Sequence, residues 1–456
     1  MAITVDDSTI ARFSDNDGQG ISASFDPPDN CLIVVGVHSF DATRDVFDSI
    51  DGSTKPWEQI VITTAGFSSW HVKWFGVGVG SMTISANDGQ GGLGPFISAK
   101  AYILTPSAGN FLNIAQVNRG TSVTNNLNAP VCTTLVDGSR VFGAGTDTTT
   151  NLVAPTSSDV ESAGVNSGSA SFLDAYKSAD TATAGTAVTI NMDADGAAAA
   201  AWSWAGMEVF ESTVRVPWLF AAGALFAAAS GTSITPVIPA NDALNDILIM
   251  GVMCNGSTTF STPTNWTLLG TSIESNANQS TAWFWKRASG SDGNPTSTTS
   301  ATLSGTVGGY GRIWVFRDCV TTGNPFEDVT MNGAPTSSTT PASATIDTTA
   351  TLRLVMSFVL VDDDNTWASG MPALGWWDIG GRVASTTGGD AMFDAFGLVA
   401  PIVATVTGVT VGTMNAADFW RTLTMALIPI AAAVDSLTFR NIFVVPSVPV
   451  HQSYYW

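Results

Sequence analysis

Residues 241–316 contain the pattern that most restricts the fold, a series of short apolar segments separated by turn residues. The apolar run 247–252 has the length of a buried strand. Side chains alternate between the two faces of a strand, so a strand at 281–286 places Trp283 and Trp285 on one face and Phe284 on the other. The pattern predicts β-strands in this part of the chain.

Two further segments complete the series, and we predict them as separate strands at residues 300–304 and 312–316. Clusters of Gly, Ser, Thr, Asn and Pro separate all of these segments, and none has helical periodicity. Short strands joined by such turns are typical of antiparallel sandwiches and barrels.

The same order of segments occurs again near the N-terminus, where residues 31–37, 69–74, 81–85 and 100–104 follow one another. Weaker versions occupy residues 139–205 and 352–426. Internal repetition at this spacing indicates copies of one structural unit. We therefore predict an all-β protein of four tandem antiparallel β-sandwich modules, jelly-roll or Ig-like, arranged as a duplicated pair with a C-terminal arm. The predicted boundaries are 1–106, 107–212, 213–320 and 321–431 for the modules and 432–456 for the arm.

Charge excludes one class of partner. The chain has 38 Asp and Glu residues against 17 Lys and Arg residues, a formal net charge of -21. Such a field repels phosphate backbones, so we expect no nucleic-acid partner. The most apolar long run, residues 218–229, is well short of the roughly 20 residues that span a bilayer, which predicts a strand or linker and no membrane contact.

The N-terminal residues lack a basic segment followed by an apolar core, so no secretory signal is expected. The four cysteines, Cys31, Cys132, Cys254 and Cys319, are far apart and lack C-x-x-C spacing. We expect buried free thiols rather than a zinc site or disulfides.

Two acidic stretches have the oxygen-rich character of calcium ligands. Residues 15–26 imitate a calcium loop loosely, but the string Asn-Asp-Gly-Gln-Gly occurs again at 87–91, which favours a plain turn. Residues 362–365 have the alternatives of a cation site and an exposed loop, and we favour the loop. No metal site is predicted.

Candidate catalytic groups are few. Only His38, His71 and His451 are available as histidine bases, and no G-x-S-x-G elbow is present. His71 lies opposite Trp70 and Trp74 on its predicted strand, so we expect it to face solvent. A glycosidase needs only two suitably placed carboxylates, an alternative that sequence leaves open. We predict no catalytic residues, no cofactor and no enzymatic activity.

The C-terminal arm concentrates aromatic and apolar side chains after the last predicted strand. Such residues are the usual anchors of interfaces. The predicted partner-binding residues are Phe439, Ile442, Phe443, Val445, Tyr454, Tyr455 and Trp456. The arm either packs on its own fourth module or adds to a sheet edge of a neighbouring subunit.

The order of turn, buried strand, Pro-to-Trp step, aromatic strand, Ser/Thr-rich strand and closing strand in residues 246–316 resembles β-sandwich modules in virion proteins of tailed bacteriophages. This resemblance implies a capsid decoration, head-fibre or tail accessory protein that assembles into the virion in the host cytoplasm. The expected partners are other virion proteins and further copies of the chain, which would form a homo-oligomer. The resemblance implies no catalytic residues.

The alternative function is a glycan-binding adhesin or receptor-binding protein. In that case exposed Trp367, Trp376 or Trp377 would stack on the sugars of a host-surface glycan. The exposure of these three rings separates the two hypotheses, because a tryptophan is buried on average.

Overall fold

The computed structural model describes residues 3–15, 19–39, 45–50, 57–62, 68–76, 78–87, 97–122, 128–147, 159–166, 171–191, 202–240, 242–273, 279–293, 298–333, 336–363, 365–369, 376–378, 382–387, 390–400 and 403–430. All regular structure in these ranges is β-strand, which confirms the predicted all-β class. Within the same ranges, no helix has the length and apolarity needed to cross a membrane.

The strands fall into four consecutive regions of the chain. Region 1 contains β1 (Thr4–Asp6), β2 (Phe13–Asp15), β3 (Gln19–Ile21), β4 (Leu32–Ser39), β5 (Asp45–Asp48), β6 (Glu58–Ile62), β7 (Ser68–Trp74), β8 (Ile84–Asn87) and β9 (Ile97–Thr105). Region 2 contains β10 (Phe111–Ser122), β11 (Asn128–Thr133), β12 (Arg140–Asp147), β13 (Asp159–Asn166), β14 (Ser171–Lys177), β15 (Ala187–Asn191) and β16 (Trp202–Ser212).

Region 3 contains β17 (Trp218–Ala222), β18 (Phe226–Ile234), β19 (Leu244–Asn255), β20 (Thr267–Ile273), β21 (Gln279–Ser289) and β22 (Ala301–Arg317). Region 4 contains β23 (Phe326–Gly333), β24 (Ile346–Asp347), β25 (Arg353–Val361), β26 (Trp367–Ser369), β27 (Trp377–Asp378), β28 (Val383–Ser385), β29 (Ala391–Ala400), β30 (Thr405–Val406), β31 (Thr413–Met414) and β32 (Trp420–Leu427).

Each region builds one large antiparallel sheet, and the four sheets have the same strand order in the described part of the chain. Sheet I is β1-β9-β4-β7-β6, sheet II is β10-β16-β12-β14-β13, sheet III is β17-β22-β19-β21-β20, and sheet IV is β23-β32-β25-β29-β27. The first strand of a region therefore pairs with its last, and the central strand lies beside the last. No large sheet takes strands from two regions, although the division into modules at the predicted boundaries stays a prediction.

One strand prediction was wrong. Residues 301–304 and 312–316 belong to a single strand, β22, rather than to two. Gly309 and Gly311, where a turn was expected, lie within this strand and against Ile234 of β18. A Cβ atom on either glycine would come within 2.7 Å of that side chain, so the absence of side chains lets β18 pack closely there.

The large sheets pack face to face in pairs. Trp70 and Tyr102 of sheet I meet Phe142 and Tyr176 of sheet II, with ring centroids 5.5–6.0 Å apart across the interface. In the second pair, Phe358 of sheet IV lies 4.8 Å from Trp314 of sheet III and 5.4 Å from Trp283. Offset and edge-to-face contacts of this kind add to the free energy gained from burial.

A single apolar core joins all four sheets. Its buried members include Trp70 from sheet I, Met207 from sheet II, Trp283 from sheet III and Phe358 from sheet IV. The opposite face of each large sheet has a separate apolar core, formed with the smaller sheets in regions 1, 2 and 4 and with the loops in region 3. Both faces of each sheet are therefore buried in large part, which explains the long apolar runs in β4, β19 and β25.

Regions 1 and 3 share a detail at the sheet edge. In both sheets the last strand pairs with two successive short strands, β1 and β2 in sheet I, and β17 and β18 in sheet III. A buried basic side chain of the last strand donates a hydrogen bond to the backbone of the connection between the two short strands. Lys100 Nζ donates to Ile10 O at 2.7 Å, and Arg312 Nε donates to Gly223 O at 2.9 Å. The two basic residues occupy equivalent register positions, because Lys100 lies opposite Gly36 of β4 and Arg312 lies opposite Gly251 of β19.

Candidate functional site

A cluster of chemically reactive side chains lies between sheets I and II. His38, near the end of β4, has Nδ1 2.7 Å from Ser68 Oγ and Nε2 2.7 Å from Asp174 Oδ1. Arg12 Nη2 donates to Asp174 Oδ2 at 2.6 Å. Region 1 therefore supplies the serine, the histidine and the arginine, and region 2 supplies the carboxylate.

Charge balance explains why this cluster tolerates burial. Burial alone would raise the pKa of Asp174, but the neighbouring His38 and Arg12 outweigh that effect and hold its pKa below the usual value. The carboxylate thus stays ionised beside an arginine, and its hydrogen bonds are charge-assisted. The imidazole ring of His38 also packs against Phe172 of sheet II, with the two ring centroids 5.2 Å apart.

A serine, a histidine and an acid that are linked in this order by hydrogen bonds are the groups of a hydrolytic triad, in which the histidine takes the serine proton. The surroundings of this cluster differ from such a site. Ser68, His38 and Asp174 are each 0% exposed, and Ser68 Oγ is hydrogen-bonded to Thr146 Oγ1 of sheet II. In this structure the cluster links the two sheets, and its serine is fully buried.

The prediction that His71 faces solvent was wrong. The residue is 1% exposed, with Nε2 3.0 Å from Ser69 Oγ. The face of β7 opposite Trp70 was expected to meet solvent, but it meets the outer core of region 1, where Val35 and Ala101 lie beside it in the register. A sheet covered on both faces has no solvent side, and alternation alone does not reveal this.

A second buried acid lies in sheet IV. Asp394 is 0% exposed, and Trp367 Nε1 donates to its Oδ2 at 2.6 Å. Burial raises the pKa of Asp394 to about 6, although the hydrogen bonds from Trp367 and the Ala395 backbone act in the opposite direction. This carboxyl therefore titrates close to neutral pH.

The two acids lie in similar local sequences, but their side chains point to opposite faces of their sheets. Asp174 lies in the stretch 172–176, Phe-Leu-Asp-Ala-Tyr, and Asp394 in the stretch 392–396, Met-Phe-Asp-Ala-Phe. Tyr176 belongs to the central core, whereas Phe396 belongs to the outer core of region 4. A shift of one residue in strand register exchanges the two faces, so Asp174 faces the neighbouring sheet and Asp394 faces away from it.

An acid inside an apolar strand was the available sequence signal for both groups. A buried carboxylate needs a partner, so Asp174 and Asp394 could have been singled out from the sequence. The identity of those partners depends on contacts between distant segments, and these were not predictable.

The tryptophans of the glycan-binding alternative are not on the surface. Trp376 and Trp377 are 4% and 3% exposed, and Trp367 is half-buried with its indole N–H bound to Asp394. These rings do not offer the open faces that sugar stacking requires. The alternative therefore loses the residues on which it was based.

The acidic stretches form no metal centre in the described ranges. No group of three or more His, Cys, Asp or Glu side chains is placed to hold a metal ion there. Residues 16–18 and 364, which belong to the two stretches, lie outside those ranges. Asn365 is buried, and its side-chain amide donates to Asp418 Oδ2 at 3.2 Å.

The four cysteines are buried and free, as predicted. Burial raises the pKa of the Cys31 thiol to about 12 and that of the Cys254 thiol to about 11. Since the thiolate is the reactive form, these groups are inert at neutral pH.

Comparison with known proteins returned no match. No protein-family model, no curated protein and no solved structure matches this chain.

The predicted partner-binding residues, Phe439, Ile442, Phe443, Val445, Tyr454, Tyr455 and Trp456, lie outside the described residues. The structure does describe the point from which residues 431–456 extend. Ile430 is 38% exposed, and its N–H donates to Asp318 O at 2.7 Å. The side chain of Asp318 in turn accepts a hydrogen bond from Trp218 Nε1 at 2.7 Å. The C-terminal segment therefore starts beside the first residue of β17.

A narrow cleft lies near this point. It encloses about 300 Å³, part of it open to solvent, between Trp74, Trp218 and Trp377. Its other walls include Ile114 and Leu354, which are 2% and 1% exposed. The cleft is thus a packing gap where all four regions meet rather than an open groove.

Proposed function

We propose that the protein is a non-enzymatic structural component of a bacteriophage virion, which decorates or stabilises a capsid or tail through protein-protein contacts. In this proposal the four-sheet body is the rigid part, and residues 432–456 supply much of the attachment to neighbours.

The observation that carries this proposal is the anchoring of Ile430. The hydrogen bond from Ile430 N–H to Asp318 O fixes the start of the C-terminal segment at an exposed point of the body. The segment beyond it contains Phe439, Phe443 and Trp456. Aromatic anchors at the end of a fixed body favour attachment to a neighbour.

The chemistry of the buried clusters is in keeping with this role. The cluster of Ser68, His38, Asp174 and Arg12 connects two sheets through charge-assisted hydrogen bonds. Polar groups placed in this way specify which faces pack together. They contribute to a body of fixed shape.

A chain that ends at Ile430 tests the proposal. We expect it to keep the far-UV circular dichroism of the full chain but to be missing from purified virions, because the anchoring side chains are gone. The measurement is mass spectrometry of particles assembled with either chain. As a matched control, Gln452→Ala together with Ser453→Ala alters polar residues of the same segment and should leave incorporation unchanged.

Two results would count against the proposal. If the full chain is missing from purified particles, it has no structural role in the virion. If the shortened chain is incorporated in normal amounts, the C-terminal segment does not mediate attachment.

A further inference from the structure

The outer edge of sheet III differs in charge from the first strands of the other large sheets. Its edge segment, residues 218–229, covers β17 and the first part of β18 and contains no charged side chain. Charged residues occur in the other first strands: Asp6 in β1, Arg119 in β10, and Glu327 and Asp328 in β23. Charges on an edge strand discourage pairing with other chains, so the edge segment lacks a common form of protection.

The edge segment ends sheet III, and the connection between its two strands is held in place. Within the described part of the chain, β17 and β18 pair with β22 alone and end the sheet. Most side chains of the edge segment are half-buried, and Ala224 and Ala229 are exposed. Arg312 Nε binds Gly223 O and secures the connection between the two strands. An ordered edge of this kind loses little conformational entropy when a further strand is added.

The C-terminal segment contains a sequence suited to such an addition. Residues 437–445, Leu-Thr-Phe-Arg-Asn-Ile-Phe-Val-Val, are rich in β-branched and aromatic side chains and contain no acid. Pro446 follows at once, and a proline cannot donate a hydrogen bond to a sheet ladder. Strand pairing is therefore expected to stop at Val445.

We propose that the edge segment of one copy accepts residues 437–445 of a second copy as an added antiparallel strand. This inference rests on the proposed function, since it identifies the receiving surface for the C-terminal segment. Backbone hydrogen bonds supply the affinity in β-strand addition, and alternate side chains supply the specificity.

Geometry favours a second copy over the same chain. The edge segment pairs antiparallel with β22, opposite its residues 309–317. Antiparallel addition along this edge begins at its Ala229 end, roughly 30 Å from Trp218. The chain leaves Ile430 beside Trp218, and from there to Leu437 it spans at most about 25 Å. A chain's own segment is therefore too short to start at the far end, whereas a neighbour's segment has no such limit.

The contact would be heterologous, because the donating segment and the accepting edge are different surfaces. Each copy donates one segment and accepts another. Contacts of this type produce rings when the rotation closes and open filaments when it does not.

A mixing experiment tests the inference with two altered chains. The first ends at Ile430, so it keeps the edge but cannot donate. The second is the full chain with Ala224→Lys and Ala229→Lys, so it keeps the C-terminal segment but has a charged edge. We expect each to sediment as a monomer by itself, and an equimolar mixture to form a one-to-one heterodimer. The unaltered full chain should form larger species at the same concentration.

Matched variants keep this result interpretable. Val403 is 56% exposed in region 4, so full-length Val403→Lys carries a comparable new charge away from the edge and should associate like the unaltered chain. Circular dichroism and melting temperature verify that both altered chains are folded.

The outcomes separate this inference from the proposed function. If the shortened chain is monomeric but the mixture does not associate, the segment acts elsewhere, and this inference is overturned while the proposed function stands. If the chain with the lysine-substituted edge associates like the unaltered chain, the inference is likewise overturned. If the shortened chain associates normally, both fail.

Disulfide trapping determines strand direction. The four natural cysteines are buried, so introduced exposed cysteines are the reactive ones. Leu437→Cys in one chain should form a disulfide with Ala229→Cys in another, and not with Ala222→Cys. A disulfide to position 222 within a single chain would instead indicate parallel pairing in the same molecule and would overturn the inference.

Discussion

At the scale of single residues, the pKa values of two buried carboxyl groups are shifted in opposite directions. His38 and Arg12 hold the pKa of Asp174 below its usual value despite burial, whereas burial raises the pKa of Asp394 to about 6. A carboxyl with a lowered folded-state pKa adds stability above its unfolded pKa and loses it in acid. A carboxyl with a raised folded-state pKa costs stability above that pKa, and the cost is relieved as the pH falls.

Asp394→Asn should therefore change how stability depends on pH. Between pH 7 and pH 5, protonation of Asp394 favours the folded state, and the variant should lack this gain, a difference on the order of 1 kcal/mol. The measurement is the free energy of unfolding in urea at both pH values. Asp174→Asn is the control, because its lowered pKa places its titration below this range. Equal pH slopes for the unaltered protein and Asp394→Asn would refute the assignment.

At the scale of strands, alternation predicted much of region 3 correctly. Trp283 and Trp285 lie on the same face of β21, and Phe284 lies on the other. The sequence did not reveal that this face meets sheet IV, because both faces of the strand are apolar and either could have met another sheet. The same ambiguity produced the error at His71. The joining of residues 301–304 with 312–316 was also hidden, since the glycines between them suggested a turn.

The two tryptophans of β21 should differ in their effect on stability. Trp283 is fully buried and lies 5.4 Å from Phe358, so Trp283→Ala should cost about 3–5 kcal/mol of unfolding free energy. Trp285 is half-buried at the boundary with Phe326, and Trp285→Ala should cost less. Chemical denaturation of both variants measures the difference. Equal losses, or a larger loss at Trp285, would contradict the packing described for sheets III and IV.

At the scale of the whole molecule, the repeat was visible in the sequence but the way the repeats pack was not. Four regions with the same strand order form two face-to-face pairs, and one apolar core runs through all four sheets. The cluster of His38, Asp174 and Arg12 depends on a contact between residues 136 positions apart, which no local pattern encodes. The edge of sheet III that we propose as the acceptor could be recognised in the sequence only as an apolar run without charges at residues 218–229.

The shared core is the central claim, because it makes the protein one rigid body from which the C-terminal segment extends at a fixed point. Differential scanning calorimetry of the chain that ends at Ile430 tests this claim most directly. A single core that includes Trp70, Met207, Trp283 and Phe358 predicts one cooperative transition, with equal calorimetric and van't Hoff enthalpies. Two or more separate transitions would show that the regions unfold independently, and they would contradict the shared core.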